Sequence, residues 1–147
     1  MADTTIMRRC VEPYVRNVLA EELGIPFQSR VVGLSTGGTH EFDAVSEDGQ
    51  VVAAIKSASG RTASGKNPSG KIRDVEAELY YLSLASAPTR ILILTNREFF
   101  EIMSRRLRGR LAPGLSLGLV TLPRELQERI RTVQRKASDE VSPPTHG

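Results

Sequence analysis

The stretch from His40 to Ser57 constrains this chain more than any other part of it. Two apolar-rich runs, Glu41 to Ser46 and Gln50 to Ser57, flank Glu47-Asp48-Gly49. Glycine at the end of such a turn supplies the positive φ it needs, and short β-prone runs on either side are the mark of paired strands. The pattern predicts a β-hairpin. Strand side chains alternate between faces, so Glu41 shares a face with Asp43, and Ala54 shares one with Lys56. Folding the hairpin draws Asp43 and Lys56 together near its open end.

The rest of the chain supplies partners for that hairpin. Glu12-Pro13 opens a helix, because proline is tolerated in a first turn. Val11, Val15, Val18 and Leu19 recur at helical spacing until Gly24 and Pro26 end the segment. Arg30 to Leu34 reads as a short strand, and residues 58–70, rich in glycine and serine, as a loop. A helix from Lys71 to about Ser86 carries the stripe Ile72, Val75, Leu79 and Leu82. Arg90 to Thr95 is a continuous apolar strand of the kind buried on both faces. Asn96 is placed to cap a helix running to about Arg108. Leu115 to Leu122 reads as a last strand and Pro123 to Lys136 as a last helix. A three-strand meander joined by a crossover helix to a buried strand predicts an α/β fold, a mixed sheet flanked by helices. One domain over residues 1–136 is expected; the segment 137–147, with two prolines and little apolar content, predicts disorder.

Composition removes several classes of function. With 25% charged and 39% hydrophobic residues in 147, the chain is ordinary globular material. No apolar run approaches the roughly 18 residues of a membrane span, and the opening MADTTIMRRC lacks the apolar stretch of a secretory signal. A cytoplasmic protein with no membrane contact is expected. The single cysteine, Cys10, allows neither an internal disulfide nor a cysteine-based zinc cluster. Net charge is +3, but sixteen of the twenty basic residues are arginine, whose planar fork suits phosphate. Arg97, Arg105, Arg106, Arg108 and Arg110 lie close together. A solvated helix face is the plainer explanation of them, since there is no long basic run. The glycine- and serine-rich loop carries Arg61 and Lys66, with Lys71 just beyond it, placed to close over a phosphate backbone; the glycine spacing of a Walker-type loop is absent.

Hydrolysing a phosphodiester needs a carboxylate to hold a hard divalent cation and a positive group to stabilise charge or place the attacking water. Asp43 and Lys56 on adjacent strands meet that need. A cross-strand ion pair on a solvated hairpin, worth about 0.2–1 kcal/mol, is the plainer alternative. The run Glu41-Phe42-Asp43, the turn, and Val52-Ala53-Ala54-Ile55-Lys56 resembles the core motif of the PD-(D/E)XK nuclease superfamily, where an Asp on the second strand precedes an acidic-x-Lys on the third. The order of elements over residues 12–95 is similar too. The resemblance implies a restriction-endonuclease-like core and a metal-dependent nuclease acting on DNA. Asp43 would hold Mg²⁺ or Mn²⁺, Lys56 would position water or stabilise charge, and Glu41 would belong to the acidic set. Ala54 departs from the motif, standing where the third-strand acid belongs.

Replacement carboxylates are sought on the helix after the loop. Glu76 and Glu78 sit on opposite borders of its apolar stripe, and periodicity does not choose between them; both also read as solubilising residues. Glu76 and Tyr80, four apart, are similar to the Gln-x-x-x-Tyr element of RecB-type nucleases, with Glu for Gln. Glu22 is a third source. His40 reads as a strand-edge residue. If DNA is the substrate, Arg61, Lys66, Lys71, Arg105 and Arg106 are expected to border the site. The competing expectation is a non-catalytic nucleic-acid-binding or protein-interaction module, alone or as a homo-oligomer, that kept the fold after losing the acid at position 54.

Overall fold

The computed structural model describes residues 5–58 and 69–141, excluding the side chains of 134–141. The chain is α/β: a five-stranded mixed sheet with helices on both faces. Strands β1 (Phe27–Gly33), β2 (Thr39–Ser46), β3 (Val51–Lys56), β4 (Thr89–Leu94) and β5 (Leu115–Leu119) stand side by side in chain order. The first three form an antiparallel meander, and β3, β4 and β5 run parallel. Helices α1 (Glu12–Leu23), α2 (Ser69–Leu84), α3 (Arg97–Arg106) and α4 (Arg124–Val141) complete the fold.

The predicted turn closes the hairpin through named bonds. Asp48 Oδ1 accepts from the Ser46 hydroxyl at 2.7 Å and from the Gln50 N–H at 3.0 Å, and Gly49 takes φ +74°. The two contacts hold the Asp48 carboxyl below its ordinary range, the Ser46 hydroxyl contributing most. Both parallel connections use a helix on one face. Phe42, Val45, Val52, Ala54, Leu92 and Leu94 pack with Ile72, Val75, Leu79 and Leu82 of α2 and Phe99, Ile102 and Met103 of α3. On the other face Ala44, Ala53, Ile55 and Ile93 pack with Val15 and Leu19 of α1 and Leu126 and Ile130 of α4. Burying β3 and β4 on both faces explains why they read as unbroken apolar runs rather than alternating ones.

Several boundaries differ from the sequence expectation, each for a local reason. The first α-helix begins at Glu12 as expected, but a π-helical turn, Met7–Val11, precedes it, with the Glu12 N–H donating to the Met7 carbonyl. Pro13 has no N–H to continue the ordinary ladder, and a widened turn absorbs that gap. Strand β1 begins at Phe27, three residues before Arg30, because it continues pairing as far as Phe27 and Ser46. At the other end α4 passes Lys136 and runs to Val141, since no proline or glycine interrupts it there. Residues 142–147 lie outside the described part, as do Arg61 and Lys66 of the predicted phosphate-facing loop.

Candidate active site

The hairpin contains an irregularity that determines where Asp43 points. Gln28 lies opposite Val45 and Arg30 opposite Phe42, so Asp43 and Ala44 together face the single residue Ser29. This is a β-bulge. In unbroken alternation residues 42 and 45 would sit on opposite faces; the extra residue brings Phe42 and Val45 into the same core layer. Beyond the bulge β2 parts from β3, their register being limited to Ala44 with Ala53 and Val45 with Val52. Asp43 Oδ2 fills the gap, accepting the Ile55 N–H at 2.8 Å in place of a β2 carbonyl. The Asp43 side chain thus lies one residue from Lys56, where the strands diverge.

Charged groups from both helical layers reach this point. Arg16 of α1 donates to the Asp43 carbonyl at 2.9 Å and lies 3.7 Å from Glu12, one turn earlier on the same helix. Burial pushes the Asp43 carboxyl above its ordinary range; the Ile55 N–H opposes the shift, the Glu78 charge adds to it, and Lys56 and Arg16 oppose it. Burial likewise raises the Glu12 carboxyl, followed by the charge of Asp43, with Arg16 and Arg8 acting the other way and Glu41 adding a little. Glu78 is itself held by His40, whose Nε2 lies 3.3 Å from Glu78 Oε1. The His40 ring stacks on Tyr81 with centroids 4.0 Å apart and meets Phe42 edge-on at 4.8 Å.

The site residues expected from sequence separate accordingly. Asp43 and Lys56 occupy adjacent antiparallel strands, and Glu78 is the α2 carboxylate whose charge Asp43 feels. Glu76 turns instead to Arg106, its Oε2 accepting from Nε at 3.3 Å on the exposed surface. Tyr80, the other half of the resemblance to RecB-type nucleases, is 61% exposed. Glu41 is exposed on β2 opposite Val31, and Glu22 is exposed near the end of α1. Lys71 lies in the first turns of α2, while Arg105 and Arg106 lie in the last turn of α3. Ala54 has no exposed surface and belongs to the layer beneath α2 and α3.

Glu12, Arg16 and His40 are the residues the sequence reading did not place here. Glu12 reads only as the residue that opens a helix with Pro13, and His40 as a strand-edge residue. One signal was available. Glu12, Arg16 and Leu19 follow one another at i, i+4 and i+7, so a charged pair continues the apolar row that α1 turns to the sheet. Among the described residues no three of His, Cys, Asp and Glu converge closely enough to hold a metal ion by themselves. None of the described helices is long and apolar enough to cross a membrane. No family model, curated protein or solved structure matches the chain.

Proposed function

We propose that this protein is a metal-dependent, nuclease-like phosphodiesterase acting on DNA, built on a core of the restriction-endonuclease kind. One observation carries the reading: the half-buried Asp43 carboxyl, whose side chain bonds the residue before Lys56, interacts with the charge of Glu12 from one helix and of Glu78 from another. Crowding anions in a partly desolvated place costs free energy, and such clusters mark sites where a cation or a transferred proton offsets the cost. The donor set fits a hard cation. Mg²⁺ is commonly bound by one or two carboxylates, with waters and substrate phosphate completing its shell, so a preformed cage of three protein ligands is not required. Asp43, with Glu12 or Glu78, would hold it, and the ion would supply Lewis acidity and a more acidic bound water. Lys56 would place its ammonium against a phosphate oxygen. Arg16 positions Glu12 and clamps α1 to β2.

The test is cleavage of single- and double-stranded DNA with Mg²⁺ or Mn²⁺. Activity lost in Asp43→Asn and in Lys56→Ala, and lowered by about 10-fold or more in Glu12→Gln or Glu78→Gln, supports the assignment, groups that support a metal site typically being worth about 10–100-fold. Glu76→Gln should cleave like the wild type.

One observation favours a second reading. The position where the nuclease motif carries an acid is filled by a fully buried Ala54, and one Asp43 oxygen is already engaged by backbone. A binding module descended from such a nuclease would keep Asp43 for the Ile55 N–H alone. A folded wild type that binds DNA but neither cleaves it nor takes up Mg²⁺ or Mn²⁺ decides for that reading.

A further inference from the structure

A second feature lies at the carboxyl ends of the parallel strands. The connection after β4 leaves into α3 on one face of the sheet, and the connection after β5 leaves into α4 on the other. Adjacent strands whose connections part in this way leave a crevice between them, the usual place for a ligand in open α/β sheets. Here the crevice is a cleft of about 530 Å³. It begins at Ser57, the residue after Lys56, and its floor includes Leu122 and Ile130. Arg97 in the first turn of α3 and Arg131 on α4 line it from opposite sides, with Glu98 as the one acidic lining residue.

Thr95 gives the cleft a built-in polar contact. It is only 7% exposed, it lines the cleft, and its hydroxyl makes no hydrogen bond among the described residues. Among the described residues Arg90 Nε, not the Thr95 hydroxyl, is the buried side-chain atom without a partner, so the hydroxyl is accessible from the cleft and open to a ligand there as donor or acceptor. Asn96 beside it caps α3 by accepting the Phe99 N–H at 2.9 Å, and with Arg97 and Glu98 it brings the start of that helix to the edge of the same space. A donor hydroxyl, two guanidinium groups and a helix N-terminus together select an oxyanion, and a phosphate above all.

We propose that this cleft holds a backbone phosphate of the nucleic-acid strand next to the one at Lys56, fixing the register of that strand across the carboxyl ends of β3 and β4. The inference rests on the nuclease reading for the identity of the strand. Phosphate contacts of this kind position a substrate without reading its sequence.

The experiment measures fluorescence anisotropy of a labelled single-stranded oligodeoxynucleotide in EDTA over a salt series, beside cleavage with Mn²⁺. Wild type, the double variant Arg97→Ala/Arg131→Ala and the isosteric Thr95→Val are compared, each with a melting curve to show that it is folded. The double variant should lower the slope of log affinity against log salt by about 0.7, the value for one phosphate neutralised on a single strand, and weaken binding across all sequences alike. Thr95→Val should weaken binding without changing the slope. Wild-type slope and affinity in both variants overturn the cleft assignment, whatever the cleavage result. Thymidine monophosphate competing as well as the oligonucleotide assigns the cleft to free nucleotides and overturns the strand. Salt-sensitive binding that the variants diminish, without cleavage by the wild type, upholds the cleft and overturns the hydrolytic reading alone.

Discussion

Asp43 has two roles that pull in opposite directions. Its Oδ2 satisfies the Ile55 N–H, which the parting of β2 from β3 would otherwise leave without an acceptor. Its charge, meanwhile, is disfavoured where it stands, chiefly by burial. A carboxyl raised above its unfolded value binds its proton more tightly in the fold. Its contribution to stability is therefore greatest at low pH and declines as pH climbs from the ordinary carboxylate range through the raised value. Two substitutions separate the roles. Asp43→Asn keeps an oxygen for Ile55 and removes the charge, so melting at pH 7 should occur at the wild-type temperature or above it, and this decline of stability with pH should flatten. Asp43→Ala should lose about 1–3 kcal/mol, the cost of leaving a buried donor unpaired. If Asn melts as low as Ala, the charge is not the unfavourable part.

At the level of elements, the connection into β5 depends on one glycine. Gly114 has φ +82°, and a Cβ built there would stand 2.5 Å from the Pro88 carbonyl oxygen, while the Gly114 carbonyl accepts the Arg90 N–H at 2.8 Å. Arg90 adds a side-chain tie, donating to Leu82 and Ser83 at the end of α2 and to Pro113. Gly114→Ala should destabilise by more than about 1 kcal/mol in chemical denaturation, as alanine does where φ is positive and space is lacking. Gly49→Ala, with open space around its Cβ, carries the conformational cost alone and should be milder. The elements themselves were legible. The turn glycine marked the hairpin, Gly24 and Pro26 the end of α1, and Asn96 the start of α3, because these residues act through local backbone chemistry. The bulge was not legible, since it exists only in the register between β1 and β2, and no composition rule encodes that choice. The same gap hid Glu12. Its proximity to Asp43 depends on how α1 crosses the sheet, and helical periodicity specifies a face without specifying what that face meets. Glu78 was named beside Glu76 but not preferred to it, as both border one apolar stripe.

For the whole molecule, the decisive quantity is whether a cation settles the cluster formed by β2, α1 and α2. A ligand that binds only the folded state stabilises it by RT ln(1 + [L]/Kd), about 2.7 kcal/mol at a hundredfold excess over Kd. Wild type should therefore melt higher as Mn²⁺ is added, Asp43→Asn should show no such rise, and Glu76→Gln should rise like the wild type. An identical rise in Asp43→Asn would place the ion elsewhere. The two halves of the sheet also differ in how the chain reaches them. Strands β1 to β3 are joined by loops of a few residues, whereas β3 meets β4 only after α2, and β4 meets β5 only after α3. Local pairings close fast and distant ones slowly, so the meander can assemble while its inner strand still lacks a neighbour. During synthesis at about 5–20 residues per second, the apolar edge of β3 therefore stands open for several seconds before β4 arrives to cover it, and that interval is when the newborn chain is most exposed to pairing with the wrong strand.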